Sequence, residues 1–141
     1  MFLFRRSGVG SSARLRALRA LYWSFSEQNT PEARARRLLR EWLSPDQRAQ
    51  FDAESYFEVT GSHTGRRYRI HYGTVSNVVQ VDEAGQPETG WCFVPERALA
   101  AGDVMLAQKI ALETDEMSVL ALANRISPNL PRLHRMVRRA H

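Results

Sequence analysis

Between Ser55 and Tyr72 the apolar side chains fall on every second residue, on either side of a glycine-bounded turn. That alternation restricts the chain to folds containing an antiparallel hairpin. Ser55–Thr60 and Arg66–Tyr72 are the predicted strands, and Gly61-Ser62-His63-Thr64-Gly65 is the turn. Pairing Phe57 with Ile70 and Val59 with Tyr68 gathers the apolar groups on one face. The same register sets Tyr56 opposite His71 and Glu58 opposite Arg69 on the other. A second hairpin is predicted from Val75–Val81 and Gly90–Val94, joined across the acidic segment Asp82–Glu88, where Gly85 and Pro87 mark a loop. The four strands make an antiparallel meander.

Helices are expected on both sides of this sheet. Ser11 or Ser12 caps a helix running to about Phe25, with Leu15, Leu18, Leu21, Tyr22 and Phe25 on one side and Arg16 and Arg19 off it. Such a basic amphipathic helix packs on its own domain or lies on anionic membrane or nucleic acid, and packing is the expectation because the apolar face is short. Thr30-Pro31-Glu32 is a strong helix start, followed by Ala35, Leu38, Leu39 and Trp42 at helical spacing. Glu32 with Arg36, and Arg37 with Glu41, are spaced to pair. Ser44-Pro45-Asp46-Gln47 has the capping-box pattern and opens a short helix to about Phe51. Pro95 stops the last strand. Asp103 is the expected cap of a helix that lines one face with Leu106, Ile110 and Met117, is interrupted at Thr114-Asp115, and ends near Asn124. A final helix is expected from about Pro131. Trp23, Trp42 and Trp91 sit in apolar stretches and read as core.

The expected architecture is α+β: a single domain with N-terminal helices, a four-stranded antiparallel meander and C-terminal helices covering one sheet face. It divides into a basic N-terminal segment (1–29), an α+β core (30–124) and a basic C-terminal helix (125–141). A chain of 141 residues with 43% hydrophobic content buries a real core without disulfides or metal. Cys92 is the lone cysteine and the four histidines are scattered, which excludes a sequence-encoded zinc site and suits a reducing compartment, the cytoplasm. No apolar run approaches the roughly 20 residues of a membrane span. The first 26 residues hold five Arg and no acid, a composition that also fits an organelle-targeting segment.

Charge is strongly segregated. Residues 1–50 carry ten Arg against four acids, residues 51–123 four Arg and Lys109 against eleven acids, and residues 124–141 five Arg and no acid. Basic ends flanking an acidic centre fold back onto it or reach outward to phosphates, which supply most sequence-independent nucleic-acid affinity.

The run Tyr56-Phe57-Glu58-Val59, Gly61-Ser62, Thr64-Gly65 and Tyr68-Arg69-Ile70 resembles a small α+β module of uncharacterised bacterial proteins. Cys92-Phe93, Gly102-Asp103 and Ala107-Gln108-Lys109 fit the same pattern. The likeness spans roughly residues 40–124. It implies the architecture and no activity.

The turn Gly61–Gly65 with Arg66 and Arg67 has the ingredients of a backbone anion nest as well as those of an ordinary hairpin turn. It lacks the Gly-Lys-Ser/Thr ending and following helix of a phosphate-binding loop. The polar hairpin face carries Tyr56, Arg67, Arg69 and His71, an aromatic and basic mixture suited to stacking a base and holding a phosphate; Glu58 neutralising Arg69 is the competing expectation. His63, His71 and Cys92 fall into no catalytic motif, so an enzyme is not expected. Nothing in the sequence asks for a cofactor. The expected function is a non-catalytic module contacting nucleic-acid phosphate through Arg14, Arg16 and Arg19, through Tyr56, Arg66, Arg67, Arg69 and His71, and through Arg135, Arg138 and Arg139. The alternative is a protein-interaction or structural subunit whose basic ends dock on acidic surfaces of a partner or of another copy.

Overall fold

The computed structural model describes residues 9–95 and 97–126. Arg135, Arg138, Arg139 and the helix expected from Pro131 lie outside them. In chain order the elements are α1 (Val9–Gln28), α2 (Pro31–Trp42), α3 (Pro45–Glu54), β1 (Tyr56–Thr60), β2 (Arg67–His71), β3 (Val78–Val81), β4 (Pro87–Cys92), α4 (Ala101–Leu122) and β5 (Asn124–Ile126). The fold is α+β, a five-stranded antiparallel sheet in the order β1-β2-β3-β4-β5 with helices packed on it.

Local chemistry sets the helix starts. The Thr30 hydroxyl accepts from the Ala33 N–H ahead of Pro31, and at α3 the reciprocal capping box between Ser44 and Gln47 is complete. α3 ends at Ser55 in a left-handed conformation (φ 58°), which turns the chain directly into β1. The register of β1 and β2 is that dictated by alternation: Phe57 opposite Ile70, Val59 opposite Tyr68, Tyr56 opposite His71 and Glu58 opposite Arg69. Phe57, Val59, Tyr68, Ile70 and Val78 thereby join Leu39, Phe51, Met105 and Leu112 in one core, all at most 2% exposed. Each such side chain stabilises the fold by about 1.5–3 kcal/mol.

α4 lies across α2 at close range. A Cβ at Gly102 would collide with the Ala35 carbonyl, so the two backbones meet where only glycine fits. Reciprocal amide hydrogen bonds between Asn77 and Gln108 (2.8 and 2.9 Å) tie the same helix to the loop before β3, and Asn77 also donates to the carbonyls of His71 and Gly73. Those loop contacts delay β3 to Val78, later than the alternation suggests, while β4 begins earlier, at Pro87.

Several expectations are corrected. The sheet has a fifth strand: α4 ends at Leu122 and Asn124–Ile126 pair with β4, a segment too short to show alternation. Asp103 is not the α4 cap. Ala100 occupies that position without a side-chain bond, and Glu32 of α2 instead accepts from the Ala101 N–H. The buried α4 face is Val104, Met105, Gln108, Leu112 and Glu116, whereas Ile110 and Met117 are exposed. Two polar residues within the true stripe disguise it. The interruption at Asp115 is present, with φ −149° and ψ 58°. Glu32 also accepts from the Tyr72 hydroxyl instead of pairing with Arg36, which lies over Phe51 and Tyr72, and Arg37 donates to the Gln28 carbonyl in place of pairing with Glu41. Trp91 is core, but Trp23 and Trp42 are 64% and 60% exposed. The largest difference is α1. It meets α2 near their junction, and among the described residues nothing covers its apolar side, which is exposed.

Candidate functional site

The turn Gly61–Gly65 does build an anion nest, and the chain fills it itself. The Glu116 carboxylate, fully buried on α4, accepts from the N–H of His63 (2.9 Å) and Thr64 (2.8 Å), from the Thr64 hydroxyl, and from the Tyr68 hydroxyl (2.6 Å). In return the Ser62 hydroxyl accepts from the Glu116 N–H, capping the helix segment that restarts after the break at Asp115, and the Ser62 N–H donates to the Leu112 carbonyl. A Cβ at Gly61 would overlap the carboxylate. Burial alone would raise the Glu116 pKa. The hydrogen bonds from Thr64, Tyr68 and His63 outweigh it and hold the carboxyl down at about 2. The Tyr68 hydroxyl is pushed well above its ordinary range by burial and by that carboxylate. The nest is therefore a structural latch between hairpin and helix, closed to an outside phosphate.

The polar sheet face is also largely self-satisfied. Glu58 accepts from Arg69 Nε (3.0 Å) and lies 3.4 Å from Arg67 Nη1. Arg67 Nη2 donates to the carbonyls of Asp82 and Glu83 (2.8 and 2.9 Å), so the turn after β3 folds back onto the hairpin. The Arg69 guanidinium also covers the Tyr56 ring at 5.0 Å, and the His71 ring tilts against the same tyrosine at 5.1 Å. Burial, then the charge of Arg69, push the His71 pKa down to about 4, leaving it uncharged at neutral pH. Of the predicted hairpin residues, Tyr56, Arg69 and His71 are thus brought into contact, and Arg67 and Arg69 are both held by Glu58. Arg66 stands apart, exposed and in no ion pair among the described residues.

His63 contributes its backbone, and half-buried Cys92 lies at the end of β4, distant in chain and element from it. Among the described residues no group of three or more His, Cys, Asp or Glu could hold a metal ion. An apolar groove of about 270 Å³ opens between Phe93, Pro95 and Leu99 and the α4 residues Ala107 and Ala111, with Gln108 as a polar lining group. Asp103 is the one titratable group that lines it among the described residues, without a second beside it.

On α1, large apolar and basic side chains are exposed side by side. Leu15, Leu18, Leu21, Tyr22 and Phe25 are 54–68% exposed, and Arg14, Arg16 and Arg19 beside them are exposed and form no ion pair among the described residues. Sequence reasoning found these residues but expected the apolar set to be buried. It missed Glu116 altogether. The signals were Gly61 in a turn and the helix break at Asp115, two irregularities that the contact between them explains.

Compared with family models, with curated proteins and with solved structures, the chain matches none.

Proposed function

We propose that the protein is a non-catalytic binding module whose α+β body serves as a scaffold and whose docking element is α1, directed at an anionic surface that also offers apolar area. The observation that carries this reading is the exposure of five large apolar side chains on one helix together with three guanidinium groups that form no ion pair among the described residues. Exposed apolar residues occurring singly need no explanation, but a contiguous set on one helix face marks an interaction site. Binding to nucleic-acid phosphate through Arg14, Arg16 and Arg19 accounts for the charge. It leaves the leucines and aromatics in water, and of the hairpin arginines that would extend such a surface Arg67 and Arg69 are held by Glu58.

Two variants test the reading. Replacing Arg14, Arg16 and Arg19 together by Gln abolishes retention on an immobilised polyanion such as heparin at low salt, whereas Arg67→Gln leaves it within about twofold, because Arg67 is committed internally. Equal loss from both variants would return the hairpin to the binding surface. No retention of the unaltered chain at low salt would remove the anionic target.

A further inference from the structure

We infer that the surface α1 docks on is an anionic lipid bilayer, with the helix lying in the headgroup region and not spanning it; this rests on the docking reading above and names its partner. The geometry is that of an interfacial helix. At about 100° per residue, Leu15, Leu18, Leu21, Tyr22 and Phe25 occupy roughly one third of the circumference, and from Leu15 to Phe25 the stripe runs about 15 Å along the axis. Arg19 and Arg16 stand beyond one border of that stripe, and Arg14 lies at its N-terminal end, where a long aliphatic stem lets a guanidinium reach the headgroups while the stem stays among apolar neighbours. Trp23 packs edge-on against Tyr22, with ring centroids 6.2 Å apart, and lies off the stripe between Arg19 and Arg16, where its emission reports on the surroundings of the helix. The side opposite the stripe carries Ala13 and Ala20 with Arg16 among them.

Charge selects among possible occupants. Between Val9 and Ser26 the helix holds three Arg and no carboxylate, the first acid being Glu27. A second copy of the helix would add three more cations to the seam with nothing opposite to neutralise them. A bilayer rich in acidic headgroups supplies negative charge to the arginines beside one border and at the N-terminal end of the stripe, and apolar depth for the stripe itself. None of the helices among the described residues is long and apolar enough to cross a membrane, which is consistent with an element that lies on one.

The test uses the full chain with vesicles of phosphatidylcholine alone or with about one third phosphatidylglycerol, read by co-sedimentation and by tryptophan emission. The expected result is partition onto the anionic vesicles at low salt, with a blue shift that Trp23→Phe removes although Trp42 and Trp91 remain. Replacing the three arginines by Gln lowers the partition coefficient about a hundredfold, at roughly one decade or slightly less per cation near such a surface. Leu18→Ser with Phe25→Ser lowers it at least tenfold, the part a purely electrostatic contact would not show. Because these side chains lie outside the core, circular dichroism and melting of the variants stay unchanged. Absence of partition, or partition indifferent to the Leu18/Phe25 pair, overturns the lipid assignment. If vesicles fail while heparin retention still depends on the α1 arginines, the docking element stands and only its partner is wrong. A concentration-dependent dimer lost in the Leu18/Phe25 variant, without vesicle binding, assigns the face to a second copy.

Discussion

Glu116→Gln isolates the latch between hairpin and helix at nearly constant shape. In the native protein one carboxylate oxygen takes the Thr64 and Tyr68 hydroxyls and the other the N–H groups of His63 and Thr64. An amide turned with its oxygen toward the two N–H groups keeps those bonds, and both hydroxyls can rotate to accept from its nitrogen. The charge is what the substitution removes. The native carboxyl titrates at about 2 against an ordinary 4.5. That gap corresponds to about 3 kcal/mol favouring the folded, ionised form at pH 7, or roughly 10 °C in Tm for a chain of this length. The sign follows from proton counts. Between pH 4.5 and 2 the unfolded chain holds a proton that the folded one lacks, so stability is complete above this window and falls as the pH drops through it. At pH 3 about 1 kcal/mol of the contribution remains. Urea unfolding of both proteins at pH 7 and pH 3 should therefore show the difference in free energy shrinking by about 2 kcal/mol, since other groups titrate alike in both and cancel. A difference equal at the two pH values to within about 0.5 kcal/mol would refute the claim that the buried carboxylate is ionised and held by those donors.

Other perturbations follow from the same contacts. Gly61→Ala forces a methyl into the Glu116 carboxylate, and Gly102→Ala forces one into the Ala35 carbonyl; each should lower the urea midpoint by the equivalent of about 2–4 kcal/mol, and unchanged midpoints would show that the backbones are not so close. His71, pushed down to about 4 by burial and Arg69, gives stability that is complete above pH 6.5 and is lost by about 3 kcal/mol as pH falls to 4; His71→Gln should remove that slope in melts across pH 7 to 4. Asn77→Ala leaves the Gln108 amide buried without its partner and should cost about 2–3 kcal/mol, while the Asn77→Ala/Gln108→Leu double variant costs less than the separate losses added together, a coupling a double-mutant cycle measures.

The hairpin was legible because a period of two leaves a single register that buries Phe57, Val59, Tyr68 and Ile70 together, and the observed pairing is that register. Helix starts at Thr30 and Ser44 were equally plain, since a cap is local chemistry. The inner face of α4 was not. Gln108 and Glu116 look like surface residues until the loops that satisfy them are brought up against them from positions 77 and 61–64, and no periodicity encodes a partner that far away in the chain. The opposition of Glu58 and Arg69 could be read from register, whereas the binding of Arg67 to the Asp82 and Glu83 carbonyls depends on how the turn after β3 folds back. For α1 the composition was read correctly and the destination was not. Amphipathicity states that a face wants burial without stating whether the covering surface belongs to the same molecule.

The outer side of β1 is closed off by α3: Gln50 Oε1 accepts from the Glu58 N–H (2.8 Å) and Gln47 Nε2 donates to the Glu58 carbonyl (2.9 Å). A strand approaching from that direction finds its central hydrogen-bonding groups already taken by two glutamines. Continuous cross-β growth needs a receptive margin on each side of every unit, so a sheet sealed along one margin can at most meet a like sheet back to back through β5 and stop there. Two side chains on a ten-residue helix thus make the folded state a poor seed for fibrils.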